Sequence, residues 1–277
     1  MTQVTGPTAP PAPQGRGPGG GEVWLPVIRV GAVVLTIVVI GIGTVAVAST
    51  FAQRVRTETR AFTGTVRAVH LTEDVGDVKV RAAAPGEQVR ATARITESFD
   101  EGVWTAELRG QTLVVDGSCH QQGISLFDCA VDLTLVVPAG IGVDIESNTG
   151  DLSVDGAFSG VTARTNTGDV KVRKAAGPVQ IRTDTGDVRS LETRATTMRA
   201  HTSTGDVRLV FDVAPRTVDT ETNTGDVTVL VPDDRTSYTV AAETDTGDQT
   251  VDVSNVPRAA NVISAKTDTG DVEVAYR

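Results

Sequence analysis

Apolar and polar residues alternate with a period of two through the C-terminal half of the chain, and the alternation recurs in seven repeats. Counted back from a glycine in each repeat, the seventh residue is always apolar: Val143, Val161, Val179, Met198, Val218, Val240 and Ile263. The fourth residue before the glycine is polar or charged: Glu146, Arg164, Arg182, His201, Glu221, Glu243 and Lys266. Because successive side chains of a strand point to opposite faces, each repeat is predicted to carry a strand with one buried and one solvated face. An apolar residue also stands two positions after the glycine, except at Gln249, and this predicts a second short strand.

The glycines lie in a recurring tetrapeptide, Asn/Asp/Ser-Thr-Gly-Asp, between the two predicted strands. Its Gly-Asp pairs are Gly150 and Asp151, Gly168 and Asp169, Gly186 and Asp187, Gly205 and Asp206, Gly225 and Asp226, Gly247 and Asp248, and Gly270 and Asp271. A polar first residue and a glycine in third place are typical of a type II β-turn. Because a type II turn splays the strands of a tight hairpin, we expect corners rather than hairpin tips. We expect each aspartate to accept hydrogen bonds from the N–H groups of its own turn.

The repeat spacing predicts the fold. Successive turn glycines are separated by 18, 18, 19, 20, 22 and 23 residues. Fixed apolar columns at such a period are typical of a solenoid, in which each coil covers the exposed face of its neighbour. We therefore predict an all-β protein with a β-solenoid, resembling a β-helix, over residues 143–277. The alternative is an antiparallel β-sandwich or meander.

Residues 62–142 are less regular and are predicted to form an irregular β capping region, because a solenoid needs an atypical unit over its exposed strand edges. Within this region Val69, Leu71, Gly76 and Asp77 match the repeat register, with Glu73 where threonine is usual, so an outlying coil is expected there.

The N-terminal part has a different character. Residues 1–21 are rich in Pro and Gly and are predicted to be a disordered tail. Residues 30–52 contain no charge over 23 positions, which is long enough for a transmembrane helix, and residues 53–61 are expected to be a linker. The alternative is a cleaved signal peptide, since Ala46, Val47 and Ala48 have the small-x-small form of a cleavage site.

The two cysteines, Cys119 and Cys129, are predicted to form a disulfide that staples the capping region. Two buried free thiols, or a metal site completed by His120, are the alternatives; a structural zinc site needs four ligands. A disulfide implies an oxidising compartment. Positive charges favour the cytoplasmic side of a membrane helix, so Arg54, Arg56 and Arg60 after the apolar segment would place the C-terminal domain in the cytoplasm. That rule weakens for long translocated domains. We expect a single-pass protein of the bacterial cell membrane with its N-terminus cytoplasmic and its C-terminal domain extracytoplasmic.

Charge and composition exclude several functions. A formal net charge of −10 argues against nucleic-acid binding, which needs a basic surface. The histidines, His70, His120 and His201, are scattered, and no nucleophile elbow, phosphate loop or zinc motif occurs. We therefore predict no catalysis and no cofactor. The aspartate column is predicted to be structural rather than a cation ladder, since Ca²⁺ needs six or more oxygen ligands.

The TGDV-type repeats, preceded by LVVPAGIGVDI and a predicted N-terminal membrane helix, resemble the bacterial "putative adhesin" family of β-strand-repeat proteins. The likeness covers Val131 to Arg277 well and Phe62 to Ala130 loosely; Glu73 and Gln249 depart from the pattern. The resemblance implies a surface or envelope β-repeat domain with an adhesive role, and its pattern defines no catalytic residues.

Two functional hypotheses follow. The first is a membrane-anchored, extracytoplasmic, adhesin-like interaction protein that binds a protein or a polysaccharide at the cell envelope. The alternative is an envelope-sensing or scaffolding protein that signals through its cytoplasmic tail. Self-association through exposed strand edges is a further hypothesis about partners.

Overall fold

The computed structural model describes residues 54–98, 100–120 and 129–277. The predicted tail at 1–21, the predicted transmembrane helix at 30–52 and most of the loop between the two cysteines lie outside the described residues. None of the described residues belongs to a helix long and apolar enough to cross a membrane.

The described residues form twenty-one strands. They are β1 Arg54–Phe62, β2 Ala68–Val75, β3 Val78–Ala82, β4 Val89–Glu97, β5 Glu101–Arg109, β6 Thr112–His120, β7 Ala130–Val137, β8 Gly142–Thr149, β9 Leu152–Asp155, β10 Gly160–Thr167, β11 Val170–Arg173, β12 Val179–Thr185, β13 Val188–Thr193, β14 Thr197–His201, β15 Val207–Phe211, β16 Thr217–Thr224, β17 Val227–Val231, β18 Tyr238–Thr246, β19 Gln249–Asp252, β20 Asn261–Thr269 and β21 Val272–Tyr276.

These strands build two sheets. The eleven-stranded sheet has the order β1-β4-β7-β3-β9-β11-β13-β15-β17-β21-β19, and the ten-stranded sheet has the order β18-β20-β16-β14-β12-β10-β8-β2-β6-β5. Each repeat gives one strand to the ten-stranded sheet, turns a corner, and gives the next strand to the eleven-stranded sheet. The strands of neighbouring repeats pair in parallel and in register. The all-β solenoid prediction is thus confirmed, and an antiparallel sandwich or meander is wrong for the repeats.

The apolar columns form the core between the two sheets. In the ten-stranded sheet Val161 pairs with Val143 on one side and with Val179 on the other, and all three are almost fully buried. Val170 and Val188 form the matching column of the eleven-stranded sheet and are equally buried. At about 25 cal/mol per Å² of apolar area removed from water, such columns supply the main driving force for stacking. β-branched valine suits this position because it packs well on a pleated surface.

The coil β2–β3 belongs to the same array, because β2 and β3 pair in parallel with β8 and β9. Beyond it, β6 extends the ten-stranded sheet and β7 extends the eleven-stranded sheet. The outermost strands of this end, β5 and β1, pair antiparallel with β6 and β4. Residues 53–61 were expected to be a linker, but Arg54–Phe62 is strand β1, since all nine of its residues pair with β4.

The coils do not stack in chain order at the other end. The last coil, β20–β21, lies between the coil β16–β17 and the coil β18–β19, so the sixth repeat is outermost. Gln249 of β19 occupies the column in which other repeats bury an apolar residue, and in the outermost coil its side chain is exposed. An inner position would bury the amide of Gln249, which is costly without hydrogen-bond partners, so this side chain suits a coil at the end of the stack.

Candidate functional site

The corners of the coils form a continuous column of turn glycines. From Gly150 to Gly270 their φ angles lie between 139° and 144°, a region that disfavours any residue with a side chain. A type II turn needs a φ of about 80° at its third residue, so the type II prediction is wrong. A Cβ atom at Gly168 would also overlap the carbonyl group of Gly150 in the adjacent coil. Glycine is therefore required both by φ and by the close approach of stacked corners.

The aspartates after these glycines form a hydrogen-bonded ladder that runs from coil to coil. Oδ1 of every carboxylate in the ladder except the last, Asp248, accepts the backbone N–H of the aspartate in the adjacent coil, with N···O distances of 2.8–3.1 Å. The order along the ladder is Asp132, Asp77, Asp151, Asp169, Asp187, Asp206, Asp226, Asp271 and Asp248. The expected bond to each residue's own turn is thus replaced by a bond between coils. The carboxylates tie the stack together at its corner.

Threonine hydroxyls reinforce the same corner from inside. The hydroxyl of Thr202 donates to the carbonyl oxygen of Gly186 at 3.0 Å, and Thr222 and Thr267 make the equivalent bonds to the glycines of their neighbouring coils. These hydroxyls are buried, so the bonds satisfy polar groups that would otherwise be costly in the core.

Glu73 takes the place of this threonine in the coil β2–β3. It is 1 % exposed, and its Oε1 accepts the backbone N–H of Val75 at 3.2 Å. Oε2 has no hydrogen-bond partner among the described residues. A Cβ atom at Gly117, which faces Glu73 from β6, would overlap Oε2, so this glycine makes room for the carboxyl group. Burial, together with the negative charges of Asp74 and Asp132, raises the pKa of Glu73 to about 8.

The outer face of the ten-stranded sheet carries the polar columns of the repeats. Arg164 of β10 lies opposite Arg182 of β12, which lies opposite His201 of β14. Arg199 is two residues before His201 on the same face of β14. We call Arg164, Arg182, Arg199 and His201 the basic band. It crosses three consecutive coils of a chain whose net charge is −10.

Acidic residues flank the basic band on both sides but leave its centre unpaired. Arg164 contacts Glu146 at 3.2 Å, and Arg199 contacts Asp219 at 3.9 Å. Nδ1 of His201 is 3.6 Å from Glu221. Arg182, by contrast, is exposed and forms no ion pair or hydrogen bond with any residue that the structure describes.

Two depressions on this face meet at the basic band. The larger, of about 550 Å³, is lined by residues of five neighbouring strands, among them Asp144, Thr162, Gln180 and Arg199. The smaller, of about 280 Å³, is lined by Gln180, Arg182, Arg199 and His201, with Asp219 and Glu221 at its other side. Because Gln180 and Arg199 line both, the two depressions form one groove that runs across the strands, along the axis of the stack.

The other residues singled out in the sequence take different places. Cys119 and Cys129 are joined by a disulfide. Nδ1 of His70 lies 3.2 Å from Asp144 on the outer face, whereas His120 is at the exposed end of β6. Among the described residues no group of three or more His, Cys, Asp or Glu side chains could hold a metal ion.

Sequence reasoning did not identify the basic band as a site. Its signal was nevertheless present, since the fourth-residue column contains Arg164, Arg182 and His201 in three consecutive repeats. Arg199 comes from a different column, two residues earlier, and only the parallel register brings it beside Gln180 and into the same depression as Arg182.

Comparison with known families confirms the resemblance drawn from the repeats. Residues 141–275 match the family described as Toastrack DUF4097. No curated protein matches the chain.

Several solved structures are similar to the chain over most of their length. A "putative adhesin" from Bacteroides fragilis NCTC 9343 is 15% identical, with 80% of this chain and 97% of that chain covered and a TM-score of 0.49. A "putative adhesin" from Parabacteroides distasonis ATCC 8503 is 9% identical, with 79% and 97% covered and a TM-score of 0.46. A "putative lipid binding protein" from the same organism is 10% identical, with 80% and 97% covered and a TM-score of 0.39.

Proposed function

We propose that this chain, whose repeats match the Toastrack family, is a membrane-anchored, extracytoplasmic interaction protein of the adhesin type that acts without catalysis. Its apolar segment at 30–52 is the anchor, and its solenoid is the part that meets a partner. The partner is a protein or a polysaccharide of the cell envelope.

The observation that carries this proposal is the in-register stack of coils. Parallel pairing holds each outward column of side chains at a fixed spacing of about 4.8 Å from one coil to the next. The aspartate ladder and the buried threonines fix the corners of the same coils. Such a frame presents a broad and rigid array of polar side chains, which suits recognition of an extended partner because little ordering entropy is lost on binding.

The Cys119–Cys129 disulfide supports an extracytoplasmic position, because disulfides persist in oxidising compartments. A topology experiment tests this position in cells that produce the full chain. We expect external protease to cleave the C-terminal domain of intact cells, and a thiol reagent to label the cysteines only after reduction. A domain that external protease does not cleave, with cysteines that the thiol reagent labels without reduction, would lie in the cytoplasm and would overturn the proposal.

The alternative is an envelope-sensing or scaffolding protein whose tail contacts a cytoplasmic partner. Deletion of residues 2–21 separates the two functions. We expect cells that carry the deletion to adhere to surfaces as well as cells with the full chain. A loss of adhesion or of an envelope response in the deletion alone would favour signalling through the tail.

Self-association through strand edges stays a prediction. One edge strand of the ten-stranded sheet is β18, and the loop after β19 covers its first half: Tyr238 exchanges backbone hydrogen bonds with Ser254 and Val256. The amide oxygen of Asn255 accepts the N–H of Val240. Only the later part of this edge, which carries Glu243 and Asp245, is left to pair with a second copy.

A further inference from the structure

We infer that the groove on the outer face of the ten-stranded sheet binds an acidic polysaccharide, with Arg182 and Arg199 holding its carboxylate groups. This inference rests on the proposed interaction function and names the class of partner.

The basic band is energetically costly to the free protein. Like charges that face each other directly across neighbouring strands destabilise a sheet. Arg164 and Arg182 face each other in this way. In the same column, three of the other five repeats carry glutamate. Arg182 gains no ion pair in return from any described residue. The unpaired guanidinium group of Arg182 lies between Arg164 and His201 in the register of the sheet, with Arg199 lining the same depression, so it is well placed to hold an anion from outside.

The residues around the basic band supply polar groups as well as charge. Gln180 and Arg199 line both depressions, and Thr162 and Asp144 line the larger one. Together these side chains offer amide, hydroxyl, guanidinium and carboxylate groups, which can both donate to and accept from the hydroxyl groups of a sugar. The arginines add bidentate, charge-assisted bonds to a carboxylate.

The shape of the groove suits an extended ligand. Its lining comes from β2, β8, β10, β12 and β14, so it extends over five strands, roughly 20 Å at about 4.8 Å per strand. An extended chain of several sugar units fits such a length. The groove suits an acidic peptide less well, because these strands are paired on both sides and offer no free backbone edge to which a peptide strand could be added.

The test uses the full chain purified in detergent and immobilised, with polygalacturonate as the probe. Neutral dextran and poly-glutamate serve as comparison polymers of different chemistry. The variants are Arg182→Gln, the double variant Arg182→Gln with Arg199→Gln, and Arg208→Gln as a matched control. Arg208 is an exposed arginine on the eleven-stranded sheet, so the control removes the same charge from the opposite face.

We expect polygalacturonate to bind, and dextran and poly-glutamate to bind at least about tenfold more weakly. The single variant should weaken polygalacturonate binding by about tenfold and the double variant by more, whereas Arg208→Gln should change it less than about twofold. Raised salt should weaken the binding to the parent protein. Equal melting temperatures of all variants show that the fold is intact. A variant with a lower melting temperature is replaced by Arg182→Lys, which keeps the charge and loses the bidentate geometry.

Three results would overturn the inference: no binding of polygalacturonate, an equal loss with Arg208→Gln, or equally tight binding of poly-glutamate. None of them bears on the topology experiment, which tests the proposed function separately. A domain found outside the membrane that fails to bind polygalacturonate would refute the ligand class alone.

Discussion

Oδ1 of Asp206 accepts the backbone N–H of Asp226 at 2.9 Å, although the two residues are twenty positions apart and belong to different coils. The N–H of Asp206 in turn donates to Asp187 of the preceding coil. The carboxylate column therefore acts as a set of side-chain rungs between coils. The N–H groups at the corner lie outside the strand pairing, and the aspartates give them acceptors.

A first prediction compares an inner and an outermost rung of this ladder. Asp206→Ala removes the acceptor of the Asp226 N–H and should lower the free energy of unfolding by roughly 1–3 kcal/mol. Asp248 lies in the outermost coil, and its carboxylate accepts no hydrogen bond from the described residues. Asp248→Ala should therefore change stability by less than about 0.5 kcal/mol. Urea unfolding of the full chain in detergent measures both; equal losses would mean that the rungs do not stabilise the stack.

A second prediction concerns cations. The ladder uses Oδ1 of each inner carboxylate for an N–H group, and Oδ2 of Asp187 also pairs with Arg189 at 2.6 Å. Ca²⁺ needs six or more oxygen ligands, which these occupied carboxylates do not supply. We expect the thermal melting curves with excess Ca²⁺ and with a chelator to coincide. A shift of many degrees between them would show that the column binds the cation.

A third prediction tests the turn glycines. Gly186→Ala would place a Cβ at a φ of 144° and against the carbonyl group of Gly168, so we expect a loss of roughly 3–5 kcal/mol. Gly142 is the matched control, since a Cβ there would meet no atom within 4 Å. Gly142→Ala should leave the unfolding midpoint nearly unchanged. A Gly186→Ala protein as stable as the control would contradict the role of close corner contact.

The repeats themselves could be predicted from the sequence because their determinants are local. Period-two alternation fixes which residues face inward, so the burial of Val161, Val179 and Val218 follows from the pattern. The coil around Gly76 could be recognised by the same register, despite Glu73. Local patterns carry this information because each coil repeats the same strand, corner and strand.

The features that the sequence did not predict depend on which elements become neighbours. The hydrogen bond between Asp206 and the next coil, and the depression that Arg182 and Arg199 line together, both depend on the spatial order of the coils, which a sequence period cannot specify. Gln249 marked its coil as unusual, but only the structure shows that this coil is outermost and that β20 takes the inner place. The type II prediction was wrong because it considered the turn alone, whereas the stacking of corners sets φ near 140°.

A fourth prediction follows from the buried carboxyl group of Glu73. The pKa of Glu73 is about 8 in the folded protein against 4.5 normally, so between these values the folded state holds a proton that the unfolded state releases. Stability should therefore fall as the pH rises from about 5 to about 8 and then level off. Glu73→Gln stays neutral, so its stability relative to the parent protein should increase across this range. Urea unfolding at several pH values measures the difference, with the exposed Glu221→Gln as control; parallel profiles of Glu73→Gln and the parent protein would contradict the assignment.

The fifth prediction tests the exchanged order of the last two coils with two valines that pair with each other. Val274 of β21 is fully buried, whereas Val251 of β19 is 40 % exposed, because β21 lies inside the stack and β19 lies at its end. Val274→Ala should lower the free energy of unfolding by roughly 1.5–3 kcal/mol through lost apolar burial and a cavity. Val251→Ala should cost less than about 0.5 kcal/mol, since the site is open to solvent. Both variants remove the same two methyl groups from equivalent positions, so the comparison isolates the place of each coil. If the coils stacked in chain order, Val251 would be the inner residue and the ranking of the two losses in urea unfolding would be reversed.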